Sequence, residues 1–387
     1  MPEQRTAAPA ATAGELLAEY RPGDSFFSTA TRALHGTGAL TTLDRLDAIP
    51  AALAEAGDGA LAMGAVPFDP AQPAHLVVPE TVRRSPSPAR AARSEHKWSP
   101  LGGQWTLTPV PAPDAHVAAV ERAVKLMAED TELRKVVLAR CLKVRSDQDV
   151  DVATVLANLL WRDPTAFVFA ADLPQRGSGT RSLLGASPEL LIAKRGRHVL
   201  SNPLAGSAPR SADPTKDQRR AVGLLTSAKD RHEHSVVVEA VTEALRPYCR
   251  SLSVPAEPEL IKTATMWHLS TRVTGELTDP DVPAHRLAAD LHPTPAVCGT
   301  PTGRAFDTIG GLEPFDRGFY TGAVGYTDAA GDGEWVVTIR CADVAGRTLE
   351  LYAGGGVMPE SDPDSELAET SAKLRTLLLA LGVDGAA

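Results

Sequence analysis

No apolar run in this chain approaches the roughly 20 residues that a membrane-spanning helix needs, so no membrane association is expected. Cysteine is scarce. Cys141, Cys249, Cys298 and Cys341 are too widely spaced for a paired metal-ligand pattern, and such a set suits a reducing cytosol. The opening MPEQRTAAPAATAGELL has no continuous apolar core and carries early acids, so it does not read as a secretory signal. The net charge of −9, with no Lys/Arg block to neutralise phosphates, argues against a nucleic-acid surface. Neither a Walker loop nor a dinucleotide fingerprint is present. What remains is a soluble globular composition, 43% hydrophobic and 22% charged. A cytoplasmic protein is the expectation.

Two segments read as irregular. Residues 1–14, rich in Ala, Pro and Thr, are expected to form a disordered tail. The basic, Pro/Ser-rich stretch 83–98 is expected to be an exposed loop, since no aromatic interleaving supports a nucleic-acid role. The rest, 15–387, is expected to form one catalytic domain.

The most informative stretch is AKDRHEHSVVVEAVTEAL, 228–245. At a 3.6-residue period Val236, Val237, Ala240, Val241, Ala244 and Leu245 share one face, which marks an amphipathic helix. Followed toward its N-terminus, that face meets Glu233 and then Asp230. Acids opening a helix can simply complement its dipole. Buried and unpaired, they would destabilise the fold or lose their charge. The last helix repeats the pattern. Ser361 or Asp362 caps it, Pro363 lies in its first turn, and Glu366, Glu369, Lys373 and Leu377 fall on one stripe. Two acid pairs at i, i+3 on core-facing sides favour a shared site for a hard divalent cation such as Mg²⁺.

The strand KVVLAR places Lys135, Val137 and Ala139 on one face and Val136, Leu138 and Arg140 on the other. RSLLGASPELLIAKRGRHVL reads as two strands flanking Gly185–Pro188, with Glu189 entering an apolar run. There desolvation would raise its pKa, as a general acid at neutral pH requires; a surface glutamate is the plain alternative. SNPLAGSAPR is expected to turn through Ala205–Ser207. His268 sits in a period-2 run, where a lone histidine is more often a satisfied core residue than a ligand. LHPTPAVCGTPTGRA, with three prolines, reads as a rigid irregular loop leading into a helix. Residues 317–344 read as a hairpin turning at Asp332–Gly333. In it Tyr320 shares a face with Val324, and Arg340 with Val336 and Ala342, pointing a guanidinium that needs an anion into an apolar surface. Gly354–Gly356 ends a strand where bare backbone N–H groups could approach an anion.

Taken together, KVVLAR, LLGASPELL, PLAGSAPR, KDRHEHSVVVEAV, MWHLSTRVTGEL, LHPTPAVCGTP, EPFDRGFYTGAVGY, GEWVVTIRCADV and SDPDSELAETSAKL closely resemble the chorismate-utilising enzymes, and within them the isochorismate synthases of catecholate siderophore pathways. The resemblance covers nearly the whole chain from about residue 15. It implies an α/β (α+β) fold in which two similar halves pack extended antiparallel sheets face to face with helices outside. By motif, Lys135 matches the general base and Glu189 the general acid. Glu233 and Glu369 match direct Mg²⁺ ligands, with Asp230 and Glu366 acting through metal-bound water; Asp230 stands where the family usually has glutamate. Gly206, Ser207, His268, Ala296, Tyr320, Arg340, Gly354, Gly356 and Lys373 match substrate-binding positions. Gly355 stands where relatives often have Ala, a harmless change by size.

The implied reaction is isomerisation of chorismate. Lys135, neutral, takes a proton from water attacking ring carbon 2, and Glu189, protonated, assists departure of the carbon 4 hydroxyl. Relatives that use ammonia lack a base lysine at the matching position, so Lys135 favours water and no amidotransferase subunit is expected. Salicylate synthases usually carry Thr at the position of Ala296, which favours stopping at isochorismate. A catalytically silent, metal-dependent anion binder would predict a broken acid/base pair, and both members are intact. A monomer is expected from relatives of this type.

Overall fold

The computed structural model describes residues 11–86, 97–175 and 179–383. Among these residues are two large antiparallel sheets and a three-stranded one. The larger sheet runs, by strand, Gly299–Thr300, Lys135–Ser146, Thr348–Val357, Cys341–Ala345, Arg181–Ser187, Phe167–Leu173, Ser25–Ser28, Arg32–Thr37 and Thr81–Pro86, with Trp105–Val110 also paired to Lys135–Ser146. In the second, Leu190–Arg195 and Gly333–Val337 lie side by side near the centre.

The two sheets pack face to face. Phe27, Leu34 and Phe169 of the first share one buried cluster with Met63, Tyr326 and Val336 of the second. The outer face of the first sheet is covered by helices Ala13–Glu19, Val152–Arg162 and Pro363–Leu381. The outer face of the second is covered by Ile49–Ala56, Ala228–Leu245 and Ala284–Leu291. The result is a helix–sheet–sheet–helix sandwich, as the resemblance implied. Central strands are covered on both faces and so read as unbroken apolar runs. No helix among the described residues is long and apolar enough to cross a membrane.

The expected helices form, as Ala228–Leu245 and Pro363–Leu381, and Asp362 rather than Ser361 caps the latter, accepting from the Ser365 N–H. Several expectations are corrected. Residues 12–14 of the expected tail are ordered as the start of a helix. Thr12 and Glu15 form a capping box, and Ala13, Leu16 and Leu17 are buried, so two apolar leucines suffice to dock this first helix. Residues 1–10 and 87–96 lie outside the described residues, but 83–86 belong to an edge strand rather than a loop. Leu204–Pro209 is a strand, not a turn; its irregularity is a bulge at Gly206, where φ is +74°.

The largest correction concerns 317–344. Its second limb is not one strand. Gly333–Val337 belongs to one large sheet and Cys341–Ala345 to the other, and the chain crosses between them at Thr338–Arg340. Beside it, Arg181–Ser187 and Leu190–Arg195 make the reverse crossing at Pro188–Glu189. A third crossing, near Pro203, feeds the small sheet that carries Ser207 and His268. Candidate site side chains therefore lie where paired strands change sheets, because there the ladder opens and leaves room.

Candidate active site

A cleft enclosing about 520 Å³, its mouth included, opens at these crossings. One wall carries Glu189, Tyr320 and Arg340, another Gly206, Ser207 and His268, and a third Gly356, Glu369 and Lys373; Glu233 and Ala296 also line it. Lys135, Asp230, Glu366 and Gly354 are not part of that lining and sit directly behind it.

Glu189 is almost wholly buried and accepts the Leu204 N–H at 3.3 Å. Burial drives its pKa up to about 7, against the opposing pull of that N–H and of Lys135, Arg340 and Lys373. The sequence expectation of a raised acid holds. Lys135, at the start of its strand, is fully buried, with Nζ 2.9 Å from Glu233 Oε1. This is an ion pair without hydrogen-bond alignment, so the amine has no hydrogen-bond partner in the site.

Arg340 reaches His268, with Nη2 3.5 Å from Nε2. Burial and the Arg340 charge hold the His268 pKa well below its usual range, so His268 is a neutral cleft residue rather than core filling. Arg340 and Thr321 take φ of +52° and +61°, left-handed values unusual outside glycine. Such strain, of order 1–3 kcal/mol per residue, aims side chains at the opening. Ser207 Oγ donates to Glu369 Oε1 at 2.8 Å, and Lys373 Nζ reaches Glu369 Oε1 at 2.6 Å and the Gly354 carbonyl at 2.7 Å.

Gly354–Gly356 is strand, opposite Ala139, Leu138 and Val137, and its glycines have a steric reason as well. What matters is the missing Cβ. At Gly356 it would stand 2.1 Å from Glu233 Oε1, at Gly355 2.7 Å from Glu366 Oε2, and at Gly354 2.9 Å from the Tyr320 hydroxyl. Alanine at 355 therefore requires the Glu366 carboxylate to shift and is not neutral by size alone.

The four acids come close enough for their charges to interact. Burial, then Glu369, raise the Glu366 pKa, and burial with Glu233 and Glu369 raise that of Asp230. Glu369 is held low: burial pushes it up, but Lys373, Ser207 and Lys229 outweigh that. They are not assembled as a ready cation cage. Among the described residues no three His, Cys, Asp or Glu groups are arranged to hold a metal together. Glu233 faces Lys135, Glu366 faces Lys229, and Glu369 faces Lys373. The donor set nonetheless suits a hard cation. It consists of buried carboxylates, Glu366 Oε2 is buried without a partner, and the bare glycines leave space beside Glu233 and Glu366.

Sequence reasoning missed two supports. Lys229 pairs with Glu366 at 2.9 Å. Arg317, buried, binds Glu313 four residues before it and donates to the Val137 and Val297 carbonyls at 2.7 and 2.8 Å. It ties the lysine strand to the Ala296 loop. Its signal was the i, i+4 pair in EPFDR.

Comparison with known proteins agrees. The family described as chorismate binding enzyme matches residues 55–382. Isochorismate synthase DhbC of Bacillus subtilis is 50% identical over 388 residues, covering 96% of this chain and 97% of that protein. The vibriobactin-specific isochorismate synthase of Vibrio cholerae is 46% identical over 327 residues, covering 84% and 80%. A crystal structure named for a 2,3-dihydroxybenzoate-specific isochorismate synthase, DhbC, from Bacillus anthracis superposes with a TM-score of 0.89 at 44% identity, covering 95% and 99%. The chain belongs to the chorismate-binding enzyme family, among its isochorismate synthases.

Proposed function

We propose that this enzyme converts chorismate reversibly to isochorismate with Mg²⁺ and supplies a 2,3-dihydroxybenzoate-type siderophore pathway. The observation that carries the reading is a cleft lined by a carboxylic acid poised near neutral pH, with a fully buried lysine directly behind the lining. The pathway rests on the names of the relatives, two of which are specific to vibriobactin and 2,3-dihydroxybenzoate. As a single chain in the cytoplasm it would need no amidotransferase, because water is the nucleophile.

Chorismate carries two carboxylates. Arg340, with Tyr320 beside it, holds the pyruvyl carboxylate, while His268 contributes a neutral hydrogen-bonding group. Glu233 and Glu369 would hold Mg²⁺ directly, with Asp230 and Glu366 one shell further out. When bound, the ion would supply positive charge for the ring carboxylate. Lys135, as the free amine, takes a proton from the water that attacks carbon 2. Glu189 delivers its proton to the departing carbon 4 hydroxyl, and the double bonds migrate without redox change. An acid and a base of this kind each contribute typically 10²–10⁴-fold.

Incubation of the purified protein with chorismate and Mg²⁺, with products separated by chromatography, tests this. Isochorismate in reversible equilibrium with chorismate is expected. EDTA should abolish it, and Lys135→Ala should lower the rate by about 10²–10⁴-fold. Salicylate with pyruvate would make the enzyme a lyase, and Ala296 would then have misled. Mg²⁺ binding without turnover would indicate a silent binder.

A further inference from the structure

Each of three acids behind or lining the cleft faces a lysine, and the three lysines differ in how free they are to leave. Lys135 is wholly enclosed, and Lys373 is 11% exposed and also bonded to the Gly354 carbonyl. The side chain of Lys229 is 33% exposed and makes one strong contact, with Glu366 Oε1 at 2.9 Å. Glu366 is 2% exposed, receives a bond from Ser361 Oγ at 2.8 Å, and has its second oxygen unpartnered. Lys229 stands on the helix that supplies Asp230 and Glu233, and Glu366 on the helix that supplies Glu369, so this ion pair bridges the two ligand-bearing helices.

We infer that Lys229 is a displaceable counter-charge: it neutralises Glu366 while the divalent ion is absent, yields to solvent when the ion arrives, and thereby sets the affinity for that ion. The inference rests on the proposed Mg²⁺ site. A buried carboxylate without a positive partner is costly, and a cationic ammonium within ion-pair distance of the same carboxylate repels an incoming cation. The two demands select a lysine at the edge of the site, where its long stem can swing the charge into water at low cost. Lys135 and Lys373 cannot do this, because their surroundings enclose them.

Titration calorimetry of Mg²⁺ alone into the full chain tests it, with wild type, Lys229→Met and Lys229→Arg compared. Lys229→Met should bind Mg²⁺ more tightly, by about tenfold for loss of one repelling charge near a partly exposed site. Lys229→Arg should stay close to wild type, since the charge is kept. In EDTA, Lys229→Met should melt at a lower temperature than wild type, and saturating Mg²⁺ should close that gap. Equal or weaker Mg²⁺ binding by Lys229→Met, with wild type binding normally, would overturn the counter-charge and leave the metal site standing. Absence of binding in wild type and both variants would overturn the metal site and the counter-charge together.

Discussion

Replacing Glu189 with glutamine is expected to cripple turnover and to make the protein more stable above pH 7. Glutamine keeps the shape and can still accept the Leu204 N–H, but has no proton to give, so a fall of about 10²–10⁴-fold in kcat is expected. The stability effect follows from burial. The folded carboxyl titrates at about 7 against an ordinary value of 4.5. Between those values the folded protein keeps a proton that the unfolded chain has released, so stability declines as pH rises through this window. Above 7 the full cost is present, an upper bound of about 3 kcal/mol at ~1.36 kcal/mol per unit. The glutamine variant escapes that decline. Urea denaturation of both proteins at pH 5 and pH 8 measures it: the variant's advantage should appear only at pH 8. Parallel behaviour at both values would refute a buried acid at this position. For the same reason wild-type conversion of chorismate should weaken as pH rises through about 7, because the acid form disappears.

Gly356→Ala is expected to be nearly as damaging without replacing a reacting group. The backbone there is ordinary strand, paired with Val137, so alanine brings no conformational strain. Its methyl group would stand 2.1 Å from Glu233 Oε1, 2.9 Å from the carboxyl carbon and 3.0 Å from Lys135 Cε. Glu233 must then leave its place, and Lys135 loses its partner. Overpacking of this kind costs about 1–3 kcal/mol of stability, which a domain with this core should survive. The expected signature is kcat reduced at least about 100-fold, comparable to loss of a positioned acid or base, with a native circular dichroism spectrum. Gly310→Ala, on a helix with open space around it, serves as the control. It should leave kcat unchanged and stabilise by about 0.5–1 kcal/mol. Normal turnover by Gly356→Ala would show that Glu233 has freedom this packing denies it.

Much of the site was legible because its parts are local. The acid pairs Asp230/Glu233 and Glu366/Glu369 follow from a 3.6-residue period, and the face shared by Lys135, Val137 and Ala139 follows from a period of two. Glu189 announced itself as an acid opening Leu190, Leu191 and Ile192, and its raised pKa follows from that burial. The motifs added the fold and the kind of chemistry, which periodicity could not.

The errors fall where one residue's conformation depends on a distant strand. Arg340 was placed on a continuous strand with Val336 and Ala342; instead Val336 pairs with Leu190 in one sheet and Ala342 with Leu184 in the other. Nothing near Arg340 in sequence signals that change of partner, because strand pairing is decided by contacts about 150 positions away. The same holds for Gly354–Gly356. Their composition suggested an exposed backbone, but the reason for glycine is supplied by Tyr320, Glu366 and Glu233, brought in by other elements. The amino-acid order by itself determined which helices and strands form and which of their faces carry charge, since those depend on backbone geometry within a few residues. Only the tertiary structure decided which lysine meets which carboxylate, since that depends on how two sheets and two helices more than 100 residues apart in the chain close around one cleft.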